Sequence, residues 1–306
     1  MRRLIAVLAA IALVPQGLLA APREIKAPPV LAVRLQPAPD GRAVMVEVPQ
    51  ETIDYEVDVG RVVSDGAYGG DTVSYLFLEY SDTKRQELTE IEERKAQGVI
   101  APLRAALTGF DFPGLAMTTT TSALGKVSWF ASKQPRLARV ATEGEREAFA
   151  GIAGTRQFAL INYHYTLSPD FTQIRVYAEI TIWAIPAPTK AARANKPMLL
   201  SRHRMVSIAE LRKRSYEPAD NVKLWSAEGG KLARAALTAG LTRLETLIPR
   251  ALAMTETEIA ALESKKAPRV FAAGFYGPRI ESADDGSPSV LIWSKGLVSA
   301  MPAPGS

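Results

Sequence analysis

Residues 157–185 read QFALINYHYTL (Gln157–Leu167), SPDF (Ser168–Phe171) and TQIRVYAEITIWAI (Thr172–Ile185). The outer segments are rich in aromatic and β-branched residues, and the Ser-Pro-Asp between them is turn chemistry. The stretch therefore predicts a β-hairpin. With a four-residue loop, Leu167 faces Thr172. Tyr165, Tyr163, Ile161 and Ala159 then oppose Ile174, Val176, Ala178 and Ile180 on a wholly apolar face. His164, Asn162, Leu160 and Phe158 oppose Arg175, Tyr177, Glu179 and Thr181 on a mixed one. A sheet with one dry face needs a second layer to cover it.

The cover is legible downstream. Ser226 reads as the N-cap of a helix from Ala227 to Ile248, with Leu232, Ala236, Gly240, Leu241, Leu244 and Ile248 recurring at helical spacing. Pro249 ends or kinks it. Leu199–Ile208 reads as an arginine-dense strand, Thr255 as the start of a short charged helix to Lys266, and Val270–Ala273 and Ser289–Val298 as strands before a disordered Pro/Ala tail.

Upstream, Leu31–Leu35 and Val44–Val48 flank the turn residues Pro37–Gly41 as two strands, and Ile53–Val63 and Val73–Tyr80 read as two more around the glycine-rich turn Asp65–Asp71. Thr83–Gln97 is a charged helix interrupted at Gly98, and Pro102 opens a second helix ending near Leu107. Leu115, Leu124, Val127 and Phe130 suit one side of a helix that the threonines 118–121 weaken. Ala131–Thr142 reads as a linker, and Glu143–Ile152 as a short helix. Strand clusters punctuated by helices, without βαβ alternation, predict an α+β fold of antiparallel sheet with packed amphipathic helices. The expected division is a signal peptide at 1–20, an N-terminal lobe at 21–135 and a C-terminal lobe at 136–306, or a single domain across the last two.

Export is expected from the first residues. Met1-Arg2-Arg3 precedes an apolar run from Leu4 to Val14, then Pro15 and the small residues around Ala20 and Ala21. A positive end, an apolar core and a small-residue exit form a secretory signal, with cleavage between Ala20 and Ala21. The core is too short to span a bilayer as a helix, which takes about 20 residues. The chain has no cysteine, which excludes disulfides, thiolate metal sites and lipid attachment at the cleavage point. A periplasmic protein without a transmembrane anchor is expected. The balance of 37 Lys and Arg against 32 Asp and Glu is mildly basic. In that compartment such a charge meets anionic envelope components and no nucleic acid.

Catalytic patterns are sparse. Ser81-Asp82-Thr83-Lys84 matches S-x-x-K without the companion motifs of acylating enzymes, and stands where a helix cap belongs. The two histidines, His164 and His203, lie in no metal-binding spacing, and no metal or cofactor is expected. Asp54, Glu56 and Asp58 alternate with apolar residues and so share one strand face about 6.5–7 Å apart. That spacing resembles an acid–base pair or a calcium site, but a solvated face accounts for it better, because side chains on one strand point the same way and do not flank a bond. Lys190, Arg193, Lys196, Arg202, Arg204, Arg212, Lys213 and Arg214 form a basic run. Arg202 and Arg204, two apart on one strand, can clamp an anion, and His164 and Arg175 extend the binding candidates across the mixed face. The expected function is binding, as an envelope accessory or assembly factor whose partner is an envelope protein or anionic component. The alternative is a hydrolase of envelope polymer working through Asp54, Glu56 and Asp58.

Overall fold

The computed structural model describes residues 38, 40–56, 96–139, 156–185, 197–264, 266–281, 289–293 and 296–306, with isolated positions in 142–149. The export signal, the strand expected at Leu31–Leu35, the segment 57–95 with Asp58 and Ser81–Lys84, and the cations Lys190, Arg193 and Lys196 lie outside the described residues.

The fold is mixed α+β. Its strands are β1 (Ala43–Glu47), β2 (Asp54–Tyr55), β3 (Arg136–Ala138), β4 (Gln157–Leu167), β5 (Gln173–Ala184), β6 (Met198–Glu210), β7 (Arg269–Ala272), β8 (Phe275–Glu281), β9 (Ser289–Trp293) and β10 (Gly296–Pro302). They form one ten-stranded sheet in the order β3-β1-β4-β5-β6-β10-β9-β8-β7, with β2 also on β4. The pairs β1–β3, β1–β4, β2–β4 and β6–β10 are parallel. The sheet is thus mixed, where antiparallel pairing was expected. Residues 131–142 are no simple linker, because they supply edge strand β3. Strands from both sides of residue 135 share this sheet.

The hairpin forms as β4 and β5, but its register is shifted by two residues: Leu167 pairs with Ile174, Tyr165 with Val176 and His164 with Tyr177. The loop sets the shift. Asp170 Oδ1 accepts from the Ser168 and Thr172 hydroxyls at 2.6 and 2.9 Å, and Ser168 Oγ accepts from the Gln173 amide at 3.0 Å. This side-chain network pulls Thr172 out of the ladder and holds Phe171 at φ 56° with its ring buried. Because side chains alternate with period two, a slip of two leaves both faces intact.

Helices cover the dry face. They are α1 (residues 96–106), α2 (Phe112–Gly125), α3 (Pro218–Ala253) and α4 (Glu256–Glu263). Helix α1 runs through Gly98 and Pro102, where a break was expected. Helix α2 tolerates its threonines because Thr118 and Thr121 bond back to the carbonyls of Gly114 and Met117. Its buried Thr120 meets the Tyr163 hydroxyl at 2.8 Å. Phe112 stacks on Tyr165 with centroids 4.2 Å apart.

Helix α3 begins at Pro218, well before the expected start, and breaks at Ala227–Gly230, where Glu228, Gly229 and Gly230 have positive φ. Ser226 is no N-cap; its hydroxyl donates to the Val222 carbonyl at 2.8 Å. The second half of α3 buries Ala236, Gly240, Leu241, Leu244 and Ile248, as the periodicity predicts. At Gly240 a Cβ would stand 2.8 Å from Val176 Cγ2, so the helix lies directly on β5. Pro249 lies within α3, which continues to Ala253. Thr255 caps α4 by accepting from the Glu258 amide. The expected strand Ser289–Val298 is instead a hairpin, β9 and β10. The tail is tied down as well: Ala303 is buried and donates its amide to the Glu210 carbonyl at 2.8 Å.

Candidate functional site

The mixed face of the sheet carries the charged side chains that the helices do not cover. Two apolar clusters border it. One gathers Ala43, Met45, Phe149 and Phe158; the other gathers Val206, Ile208, Phe275, Leu291 and Val298. Between them, β2, β4, β5 and β6 bring together two polar groups.

The first is centred on Glu56. Its Oε1 accepts from Thr166 Oγ1 at 3.0 Å and from the Tyr177 hydroxyl, and its Oε2 pairs with the Arg175 guanidinium. Arg175 also donates twice to Gln173 Oε1, at 3.0 and 2.7 Å, and lies 5.2 Å from the Phe275 ring centre. Burial, reinforced by the Glu56 carboxylate, pushes the Tyr177 hydroxyl well above its ordinary range. Three donors thus occupy most of the acceptor capacity of this carboxylate, whose side chain is 31% exposed. Asp54 is exposed and turns its carboxylate to the Tyr55 amide at 2.9 Å.

His164 was expected opposite Arg175 on the mixed face. It is instead half-buried, pairs with Tyr177 and stacks flat on that ring at 4.3 Å and 4°. Burial lowers its pKa, outweighing the pull of the Glu56, Glu179 and Asp54 carboxylates. A histidine whose folded pKa lies below its unfolded value binds fewer protons folded than unfolded. Its contribution is complete above the unfolded pKa near 6.5 and is lost as pH falls through the folded value. Urea midpoints should therefore decline as pH drops from 7.5 to 5, and His164→Gln should flatten that slope. An unchanged slope in the variant would remove His164 as its source.

The second group is Glu179 with two arginines. Arg202 and Arg204 rise from the same side of β6, as their spacing predicts. Glu179 Oε1 lies 3.5 Å from Arg202 Nε, and Oε2 lies 2.6 Å from Arg204 Nε. The arginine side chains are 41% and 57% exposed. One carboxylate serves two guanidiniums, so the group keeps a net positive charge on an open surface. Exposed ion pairs of this kind are weak, about 0–1 kcal/mol each, and exchange readily for another anion. Arg214 pairs with Glu210 at 3.4 Å, in the same basic run.

Sequence reasoning found the arginines but missed Glu179 as their partner, because Glu179 meets Arg204 through the pairing of β5 with β6, for which the sequence offers no register. Among the described residues, no cluster of three His, Asp or Glu side chains is placed to hold a metal ion, and no helix is long and apolar enough to cross a membrane. No known protein family, curated protein or solved structure matches the chain.

Proposed function

We propose that the chain is an exported, periplasmic protein that acts by binding an anionic component of the envelope, as an accessory or assembly factor, through Arg202 and Arg204. The observation that carries this reading is the pair of exposed guanidiniums sharing the single carboxylate of Glu179. An incoming carboxylate or phosphate gains two charge-assisted contacts by displacing one weak internal partner. The amino-terminal arrangement of Arg2-Arg3, apolar run and Ala20-Ala21 supports export. The hydrolase reading has less behind it, because Glu56 is held by three donors and Asp54 by its neighbour's amide, while Asp58 lies outside the described residues.

Crosslinking of the tagged protein in intact cells tests the proposal. An envelope component should be recovered reproducibly, and Arg202→Ala with Arg204→Ala should reduce recovery at least about tenfold, the worth of two charge-assisted contacts. The capture should also weaken as salt rises, because exposed charges are screened within about 8 Å at physiological ionic strength. Capture indifferent to the double substitution would overturn the assignment to this surface.

A further inference from the structure

Beside Arg204 the mixed face has a place where, among the described residues, no side chain stands. Gly296 lies opposite Trp293 in the β9–β10 hairpin and next to Arg204 on β6. A Cβ there would come within 2.5 Å of the Arg204 carbonyl oxygen and 3.1 Å of Arg204 Cβ. The first distance excludes a side chain at this position. The second places Arg204 on the side toward which such a side chain would point. Directly opposed residues of an antiparallel pair share a face, so Trp293 rises on that side too. Strand spacing separates the Arg204 and Trp293 backbones by about 10 Å across the empty position.

Trp293 is 45% exposed, although the same residue type at Trp225 is fully buried. Its ring is braced edge-on by Phe275, at 4.8 Å and 83°. A braced, half-exposed indole offers a rigid apolar plane at little entropic cost. The row across the sheet then reads Glu47, Asn162, Glu179, Arg204, Gly296 and Trp293, with Asn162 Nδ2 donating to Glu47 Oε2 at 3.4 Å. From the Asn162 amide, held by Glu47, it runs through an acceptor and a cation to an open floor and an aromatic wall. Thr181 and Arg202 pair in the row alongside.

We propose that this slot receives an acidic sugar residue of a glycan. The apolar face of the pyranose ring lies on Trp293, the carboxylate meets Arg204 with Arg202 beside it, and the ring hydroxyls reach Glu179 and Asn162. A fatty acyl chain would use the aromatic wall but leave Glu179 and Asn162 idle. A bare anion would use the arginines but not Trp293. Only a ring that is apolar on one face, rich in hydroxyls at its edge and negatively charged uses the whole row. The inference rests on the anion-binding reading above and names the ligand class for that same surface.

Calorimetric titration of the full chain with tetragalacturonate, maltotetraose and inorganic phosphate tests it, with tryptophan emission followed in parallel and the Trp293 share taken as its difference from Trp293→Phe. Tetragalacturonate should bind and perturb the emission, and maltotetraose should bind at least about tenfold more weakly for want of the charge-assisted contact. Trp293→Ala should weaken tetragalacturonate about tenfold and Trp293→Phe much less, while both leave phosphate binding unchanged. Arg204→Ala should weaken both anions. Thermal melts of each variant verify folding, and Trp293→Phe keeps the comparison valid should the alanine variant unfold.

Failure of tetragalacturonate to bind, binding indifferent to Trp293, or equal binding of maltotetraose would overturn the acidic-sugar assignment. If phosphate binding still depended on Arg202 and Arg204, the anion reading would survive that failure. If neither anion responded to those arginines, both readings would fall together.

Discussion

Replacing Trp225 by alanine should cost about 3–5 kcal/mol of folding stability, the usual range for emptying a buried aromatic site. Trp225 has no exposed surface, and its Nε1 donates to the Phe171 carbonyl at 2.8 Å. It thereby joins the first half of α3 to the hairpin loop. Asn221, one turn earlier, reinforces the joint by donating to the Asp170 carbonyl at 3.0 Å. The loss is large against a typical total of about 5–15 kcal/mol. Trp225→Phe should cost less, because it keeps much of the volume and gives up chiefly the hydrogen bond, worth about 1 kcal/mol. Urea denaturation of both variants measures the difference. Equal losses would mean that the hydrogen bond, not the filled volume, is what the site needs.

Arg42→Met should cost about as much for a different reason. Arg42 is fully buried at the start of β1, with Nη1 donating to the carbonyls of Trp129 and Phe130 at 3.0 and 2.7 Å. Its guanidinium lies 5.3 and 5.4 Å from the centres of those two rings. Burial lowers its pKa to about 10, so it remains charged at neutral pH. Hydrogen bonds from a charged donor contribute about 1.5–3 kcal/mol each, and their carbonyl acceptors are left behind in a buried place. The expected total is about 3–5 kcal/mol, read again from urea midpoints. A loss below about 1 kcal/mol would show that the carbonyls find other donors once methionine is in place.

Much of this architecture is legible in the residues, for reasons that also explain the misreadings. The two faces of the β4–β5 hairpin are visible because alternation survives any even slip. The register is not, because it depends on Asp170 drawing the Ser168 and Thr172 hydroxyls into the loop, so that Ser168 meets Gln173 and not Thr172. The buried face of α3 follows from its periodicity. Its break does not, because Glu228 occupies a left-handed conformation that favours glycine, and only the following Gly229-Gly230 hints at it. The β9–β10 turn is hidden because Ser289–Val298 is apolar enough to read as one strand.

The candidate surface was half visible for the same reasons. The spacing of Arg202 and Arg204 places them on one face from sequence alone. Their shared Glu179 and the Trp293 wall arrive from other strands, through a register and a turn that patterning does not specify. Asp54 and Glu56 drew attention as free carboxylates. The ladder placed Thr166, Arg175 and Tyr177 within reach of Glu56, and no local pattern announces such long-range partners.

The parallel pairing of β6 with β10 has a thermodynamic consequence for the site. Strands β4–β5–β6 and β8–β9–β10 are each joined through neighbours in sequence, whereas Met205 meets Leu297 only after α3 and α4 have intervened. Contacts between distant segments carry a loop-closure penalty that sequence neighbours largely avoid. The β6–β10 joint, which divides the sheet into two halves, is therefore entropically disfavoured, as are the long-range joints of β4 with β1 and β2. Arg204 stands on one half, and Gly296 and Trp293 on the other. Any ligand that touches both bridges the joint, so its binding free energy adds to the closure of the sheet itself.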